Sequence, residues 1–282
     1  MELPFQLPIP ADPDVSARVD RLELPFSEHG IDPYGAHKGD LSRAFTLLKY
    51  IYRYYFNVQV YGIENVPARG GTMLVGNHSG GVAVDGMIVL ASTFFEMEPP
   101  RLAQGMADKF LTKLPFSGQL LSRTGQFTGL PEHAARLLRD DRMLTVFPEG
   151  ARGTAKLFPE RDSLVRFGTG FMRLALETGK PIVPFAFVGG GEAVPTVTNL
   201  YALGKLMGVP YIPLTPWLLP LPKPCEFQLL FSEPMVFEGT GNEDDERIQT
   251  YVEQVKARIA KLIKQGRDLR EGRISESELE LK

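Results

Sequence analysis

Cysteine is almost absent from this chain of 282 residues: Cys225 stands alone, which excludes an internal disulfide. Also missing is any run of about 18 uninterrupted apolar residues, so no transmembrane helix is expected. The opening Met-Glu-Leu-Pro-Phe-Gln has neither the basic segment nor the long apolar core of a secretory signal, and the expected compartment is the cytoplasm. No internal repeat is present. No recognised nucleic-acid motif occurs and the overall pI is acidic, which argues against nucleic acid as a partner. Nor is there a Gly-x-Ser-x-Gly elbow anywhere, so a lipid hydrolase with a serine nucleophile lacks its usual signal, and Ser79 beside His78 does not replace it.

What is present is the composition of an ordinary globular protein, 43% apolar and 23% charged, long enough to bury a sizeable core as one large α/β domain or two small ones. The net charge of −3 hides an asymmetry. Between Arg101 and Arg173 there are 12 Lys and Arg against 7 Asp and Glu, leaving 19 against 27 elsewhere. A basic middle suits phosphate-bearing ligands or an anionic membrane surface, as well as a merely solvated face.

Residues 1–40 are rich in Pro, Asp and Gly without sustained periodicity and are expected to form an extended N-terminal arm. Leu41, Phe45, Leu48, Tyr52 and Tyr55 then recur at steps of three and four, predicting an amphipathic helix over 41–56. Its aromatic groups, with Arg43, Lys49 and Arg53, fit a membrane interface, and its apolar row fits packing on the domain. Strands are expected at 58–61, 73–75, 101–106, 143–147 and 181–187, with one or two more in 226–237. Helices are expected at 86–95, near 109–123, from Pro131 onward with Glu132 at the positive end, and at 169–178 before Gly179. Such alternation predicts an α/β class: a layered, mostly parallel sheet flanked by helices, with its functional loops at the strand C-terminal ends. Residues 204–222 hold five prolines among large apolar groups and cannot form a regular helix; they line an apolar channel, touch a bilayer or cover the core. Ile248, Tyr251, Val252, Val255, Ile259, Leu262 and Ile263 mark a C-terminal amphipathic helix, and the charged tail after Arg267 is expected to be solvated.

The chemistry concentrates where a short apolar run ends in Gly76-Asn77-His78-Ser-Gly-Gly, a strand running into a glycine-rich turn that presents an imidazole. Imidazole takes a proton near neutrality, and a carboxylate can orient it; Asp85 is the nearest downstream. A second block, Phe147-Pro-Glu149-Gly150-Ala-Arg152, follows about seventy residues later, with Ile182-Val-Pro-Phe-Ala-Phe187 thirty residues beyond it.

This ordered set resembles the glycerolipid acyltransferase superfamily, which includes the lysophosphatidic acid acyltransferases and the mono- and diacylglycerol acyltransferase-like proteins. The resemblance covers roughly 60–237, within a domain read as 41–240 and followed by a C-terminal unit at 241–282. It implies transfer of a fatty acyl group from acyl-CoA or acyl carrier protein to a hydroxyl, with no metal and no cofactor beyond the thioester co-substrate. The implied partners are a lipid acceptor and the acyl donor, at the cytoplasmic face of a membrane to which the protein is peripheral; the oligomeric state is left open. By resemblance His78 is the general base and Asp85 the carboxylate that orients it. Glu149, Gly150 and Arg152 match the acceptor site, where a guanidinium can hold a phosphate, with Lys156 close enough in sequence to assist. Backbone N–H groups of the glycine-rich turn are the expected oxyanion donors.

Two features depart from the family pattern. Its usual spacing is His-x4-Asp, whereas six residues separate His78 from Asp85. Around Gly125-Gln-Phe127, which resembles the second motif, Pro131 stands where an arginine is expected, so a phosphate ligand is missing unless Arg123 or Arg136 replaces it. Phe167-Gly-Thr-Gly-Phe171 and Gly189-Gly-Gly-Glu192 look closer to the neutral-lipid branch, so a mono- or diacylglycerol or a long-chain alcohol is the alternative acceptor. A catalytically silent, membrane-associated lipid-binding protein is the alternative of another class.

Overall fold

The structure is a computed structural model, and it describes residues 8–82, 84–107, 117–128 and 131–282. Asp12 accepts hydrogen bonds from the amides of Asp14 and Val15, and Pro13 takes the first helical position, so α1 (Pro13–Asp20) begins on residues suited to its start. Val15 and Val19, about one turn apart, are buried. The extended arm expected over 1–40 is corrected here: residues 13–20 are a helix packed on the next one, and two valines were too few to register as a period.

α2 (Lys38–Tyr50) buries Leu41, Phe45 and Leu48, and Phe45 stacks on Phe94 with ring centroids 3.8 Å apart. Fully burying one such side chain is worth about 1.5–3 kcal/mol, so this row anchors the helix to the domain. A wider π-type turn continues it over Ile51–Tyr55. Tyr52 stays buried, but Tyr55, expected in the same row, is exposed because the wider turn rotates it off that face. Leu47, Tyr50 and Tyr54 are exposed on the other side of the helix.

Strands and helices then alternate as expected. β1 (Gln59–Tyr61) and β2 (Thr72–Gly76) precede α3 (Val84–Phe95). β3 (Ala103–Ala107) and α4 (Ser117–Arg123) lead to β4 (Phe127–Thr128) and α5 (Pro131–Arg139). The helix expected near 109–123 is thus seen over its second half, its first half lying outside the described residues. β5 (Met143–Val146) is followed by the short α6 (Ala151–Thr154) and by α7 (Gly170–Thr178), and β6 (Ile182–Val188) by the short α8 (Gly190–Ala193). A side excursion of β7 (Thr198–Asn199), α9 (Tyr201–Met207) and β8 (Pro213–Leu214) comes next, so part of the proline-rich 204–222 stretch is helical. β9 (Gln228–Phe231) and α10 (Asp245–Arg270) complete the order.

Among the described residues seven strands form one sheet in the order β1-β9-β6-β2-β5-β3-β4, and every pair is parallel except β6 with β9. This is the layered, mostly parallel α/β architecture that the alternation predicts. Both faces are covered. Along β6, Val183, Phe185 and Phe187 join the apolar layer of α1, α2 and α3, while Ile182 and Ala186 join that of α5, α7 and α10. Strands covered on both sides need an unbroken apolar run, which is what β2 and β6 have.

The charged tail is less free than expected. The Glu233 amide donates to Leu281 O at 2.9 Å, Gln265 and Glu280 bond reciprocally, and Leu279 and Leu281 pack beneath α10. Two leucines among many charges are a weak signal in sequence, yet they hold the chain end against the core.

Candidate active site

The C-terminal ends of β2, β5 and β6 meet at one place, and residues just past each strand build the site. Immediately after β2, Asn77 turns inward. Its side-chain N–H donates to Phe187 O at 2.9 Å and its side-chain oxygen accepts from the Phe187 amide at 2.8 Å. One carboxamide thus replaces a pair of ladder hydrogen bonds and pins the exit of β2 to β6.

His78 follows. Its Nδ1 lies 2.7 Å from Asp85 Oδ2 despite the six intervening residues. The additional chain is taken up in tight local bonds, Val82 N–H to Gly80 O at 2.5 Å and Val84 N–H to Val82 O at 2.7 Å. Asp85 Oδ2 also accepts from the Ser79 amide at 2.9 Å, and Oδ1 from the Gly86 amide at 2.9 Å. An ionised carboxylate only accepts, so this fully buried Asp85 keeps the imidazole proton on Nδ1 and leaves Nε2 as the basic nitrogen. Phe147, the first residue after β5, stacks on the imidazole at 4.3 Å and 18°. His78 therefore has one ring nitrogen committed, one face supported and a side chain 12% exposed.

Glu149 is buried and fully committed. Its Oε1 accepts from the His78 amide and its Oε2 from the Val165 amide, both at 2.9 Å, and Lys156 Nζ lies 3.1 Å from Oε2. Lys156, its side chain 3% exposed, spends a further hydrogen on Ser163 O at 2.8 Å. The pair is an internal rivet between the His78 turn and the loop after β5, and Lys156 is not positioned to meet a phosphate. Gly150 sits at φ +57°, ψ −153°, a region open essentially to glycine alone. Gly153 packs so closely that a Cβ there would lie 2.6 Å from the Cβ of His78. Between these two glycines Arg152 is exposed, with no ion pair or hydrogen bond among the described residues.

The two suggested substitutes for the missing arginine are occupied elsewhere. Arg123 is ion-paired with Asp40. Arg136 lies near Asp140 and the ring of Tyr34, toward the opposite end of the sheet. Arg166 supplies what sequence reasoning missed: it is exposed, also unpaired among the described residues, and follows Val165, whose amide holds Glu149. No motif pointed to it. Asn77 was the more readable omission, since a carboxamide placed directly before a strand-end histidine is suited to bridging two chains.

Behind the turn, Ser79 Oγ donates to Arg161 O at 3.4 Å, so its hydroxyl is directed away from His78. Arg161 Nε in turn bonds Glu192 at 3.1 Å, and Arg267 from α10 joins the same carboxylate. Burial pushes the Glu192 carboxyl upward, but Arg267 and Arg161 outweigh it and hold it below the usual range. Asp162 is raised by burial, against the pull of Arg267. The glycine-rich 189–192 stretch thus serves as a tie to α10. Among the described residues no cluster of His, Cys, Asp and Glu could hold a metal ion.

Of the turn amides, His78 and Ser79 are committed to carboxylates, whereas those of Gly80 and Gly81 make no hydrogen bond among the described residues. The arrangement offers an oriented base, free amides beside it and an uncommitted guanidinium.

Residues 57–188 match the family model described as acyltransferase. The chain is 35% identical over 216 residues to an uncharacterised protein of Mycobacterium leprae, covering 74% of this chain and 58% of that one. It is 23% identical over 191 residues to a Gallus gallus protein named DGAT1/2-independent enzyme synthesizing storage lipids, covering 66% of this chain and 54% of that one. The chain spans little more than half the length of these relatives. In fold it resembles the 1-acyl-sn-glycerophosphate (LPA) acyltransferase PlsC of Thermotoga maritima, with a TM-score of 0.53 at 20% identity over 80% of this chain and 76% of that one.

Proposed function

We propose that the chain, whose residues 57–188 match the acyltransferase family model, is a glycerolipid acyltransferase that moves a fatty acyl group from a thioester, acyl-CoA or acyl carrier protein, to a hydroxyl of a lysophospholipid such as 1-acyl-glycerol-3-phosphate. The supporting observation is the 2.7 Å contact between His78 Nδ1 and the buried Asp85, which directs basicity to Nε2. His78 Nε2 takes the acceptor proton as the acceptor oxygen attacks the thioester carbonyl. The tetrahedral oxyanion is held by the Gly80 and Gly81 amides. Collapse breaks the carbon–sulfur bond, and the imidazolium returns its proton to the departing thiolate. Asp85 stabilises the cation that His78 becomes in between.

For the acceptor, Arg152 and Arg166, exposed and unpaired among the described residues, favour a phosphate-bearing lipid, because a guanidinium matches phosphate through two parallel hydrogen bonds. A neutral acceptor is the second reading. It is favoured by the buried Lys156–Glu149 pair, the Arg123–Asp40 pair and the place of Arg136 beside Asp140, so that none of these three replaces the arginine absent at Pro131. Incubation with acyl-CoA and a panel of lyso- and neutral acceptors, followed by lipid mass spectrometry, tests the reading. A product of acyl transfer that is absent with His78→Ala is expected. No transfer to any acceptor, or equal product from the variant, would overturn it.

A further inference from the structure

Residues 194–224, the excursion that carries β7, α9 and β8, contain no Asp or Glu and carry Lys205 and Lys223. Their outer surface is apolar: Leu206 is 83% exposed and Leu218 71%, and Met207 and Leu219 are also more exposed than buried. The loop is nevertheless well tied, with Trp217 donating its indole N–H to Leu221 O at 3.1 Å. Exposed apolar surface of this kind marks an interaction site.

The inner side of the excursion is fastened to the site. The Tyr211 hydroxyl lies 3.2 Å from the Gly81 carbonyl, in the catalytic turn, and against the Thr154 hydroxyl in α6, two residues after Arg152. Asn199 donates to Ala155 O at 2.7 Å. At its far end Pro222 O accepts from Tyr55 at 2.8 Å, which joins this surface to the aromatic row of Tyr50 and Tyr54 outside α2.

We propose that this excursion seats on an anionic bilayer, and that Tyr211 fastens it to the catalytic turn so that seating and turnover are coupled. The proposal rests on the acyl-transfer reading, in which the acceptor arrives from a lipid phase. An apolar surface with lysines and no carboxylate matches an anionic bilayer in both hydrophobicity and sign.

Co-sedimentation with vesicles of mixed phosphatidylglycerol and phosphatidylcholine, against phosphatidylcholine alone, reads seating without any turnover. Failure of the acyl-transfer reading therefore remains distinguishable from failure of this one. The wild-type chain is expected to bind the anionic vesicles. Leu206→Asp with Leu218→Asp should weaken binding at least about tenfold, since two apolar side chains no longer enter the interface. Its melting temperature and its turnover on a water-soluble short-chain acceptor should not change. Tyr211→Phe should bind vesicles normally, lose rate on a vesicle-borne acceptor and keep its rate on the soluble one. Equal vesicle binding by the double aspartate variant overturns the seating. So does a concentration-dependent dimer that this variant abolishes while the wild type ignores vesicles. An unchanged rate of Tyr211→Phe on the vesicle-borne acceptor overturns the coupling.

Discussion

The two ends of the central sheet both hold buried charge, but they differ in whether that charge is used up. At the N-terminal ends of β2, β3 and β5, Arg142 pairs with the buried Asp32 at 2.8 Å and lies over the ring of Tyr34. Nearby Arg101 donates to the carbonyls of Pro67, Gly70 and Asp141, and burial pushes its guanidinium down to about 10, so it stays charged at neutral pH. A cavity of about 350 Å³ opens there, lined by Tyr34, Arg101 and Arg142 among others. At the C-terminal ends the Glu149–Lys156 pair is as well buried, yet it holds a turn whose imidazole keeps Nε2 and, among the described residues, whose glycine amides are free and whose neighbour Arg152 is unpaired. In the proposed reading, what sets the C-terminal end apart is uncommitted valence beside an oriented base, since buried charge is common to both ends.

The largest contrast is expected from the base itself. His78→Ala should lower acyl transfer by about 10²–10⁴-fold and lower the melting temperature modestly, because it removes the proton acceptor together with the Phe147 stack and one partner of the buried Asp85. Asp85→Asn should cost less in rate, since His78 remains and only its orientation and its cation are less well supported. Initial rates and thermal melts on the same preparations measure both. Near-normal turnover by His78→Ala would remove the distinction between the two ends.

Breaking one buried pair at each end sharpens the comparison. Lys156→Met leaves Glu149 buried without its cation, and Arg142→Met does the same to Asp32; each is expected to lower stability by about 3–5 kcal/mol. Only Lys156→Met should also lower the rate at temperatures where both variants remain folded, because Glu149 holds the His78 amide. Matched losses of rate in the two variants would mean that both pairs act on general stability alone.

Much of this division was legible beforehand, and the reasons differ by element. β2 and β6 were readable because a strand covered on both faces must be apolar throughout, and His78 and Glu149 because each follows such a run directly. α1 was missed because its cap and two valines are too short a pattern, and the pinned tail because two leucines among charges carry little signal. The roles of Glu149 and Lys156 were not readable: a carboxylate and an ammonium seven residues apart look alike whether they face a ligand or each other. Arg152 and Arg166 differ from Arg123 and Arg136 only in what surrounds them, which requires the Asp40 and Asp140 contacts to be seen.

The smallest expected effect concerns that uncommitted charge. A hydrogen bond to a charged group is worth about 1.5–3 kcal/mol, so Arg152→Ala should raise the apparent KM for a lysophosphatidic acceptor by roughly 10- to 150-fold. Because Arg152 makes no ion pair or hydrogen bond among the described residues, its removal should leave the melting temperature and any turnover on a neutral acceptor unchanged. Arg166→Ala should act in the same direction if both guanidinium groups meet one phosphate, and the double variant should then fall short of the product of the two single effects. A guanidinium facing solvent without a ligand predicts no change in KM for either acceptor. Equal loss on phosphorylated and neutral acceptors would place Arg152 among the groups that shape the loop between Gly150 and Gly153, and would move the acceptor assignment toward the neutral lipid.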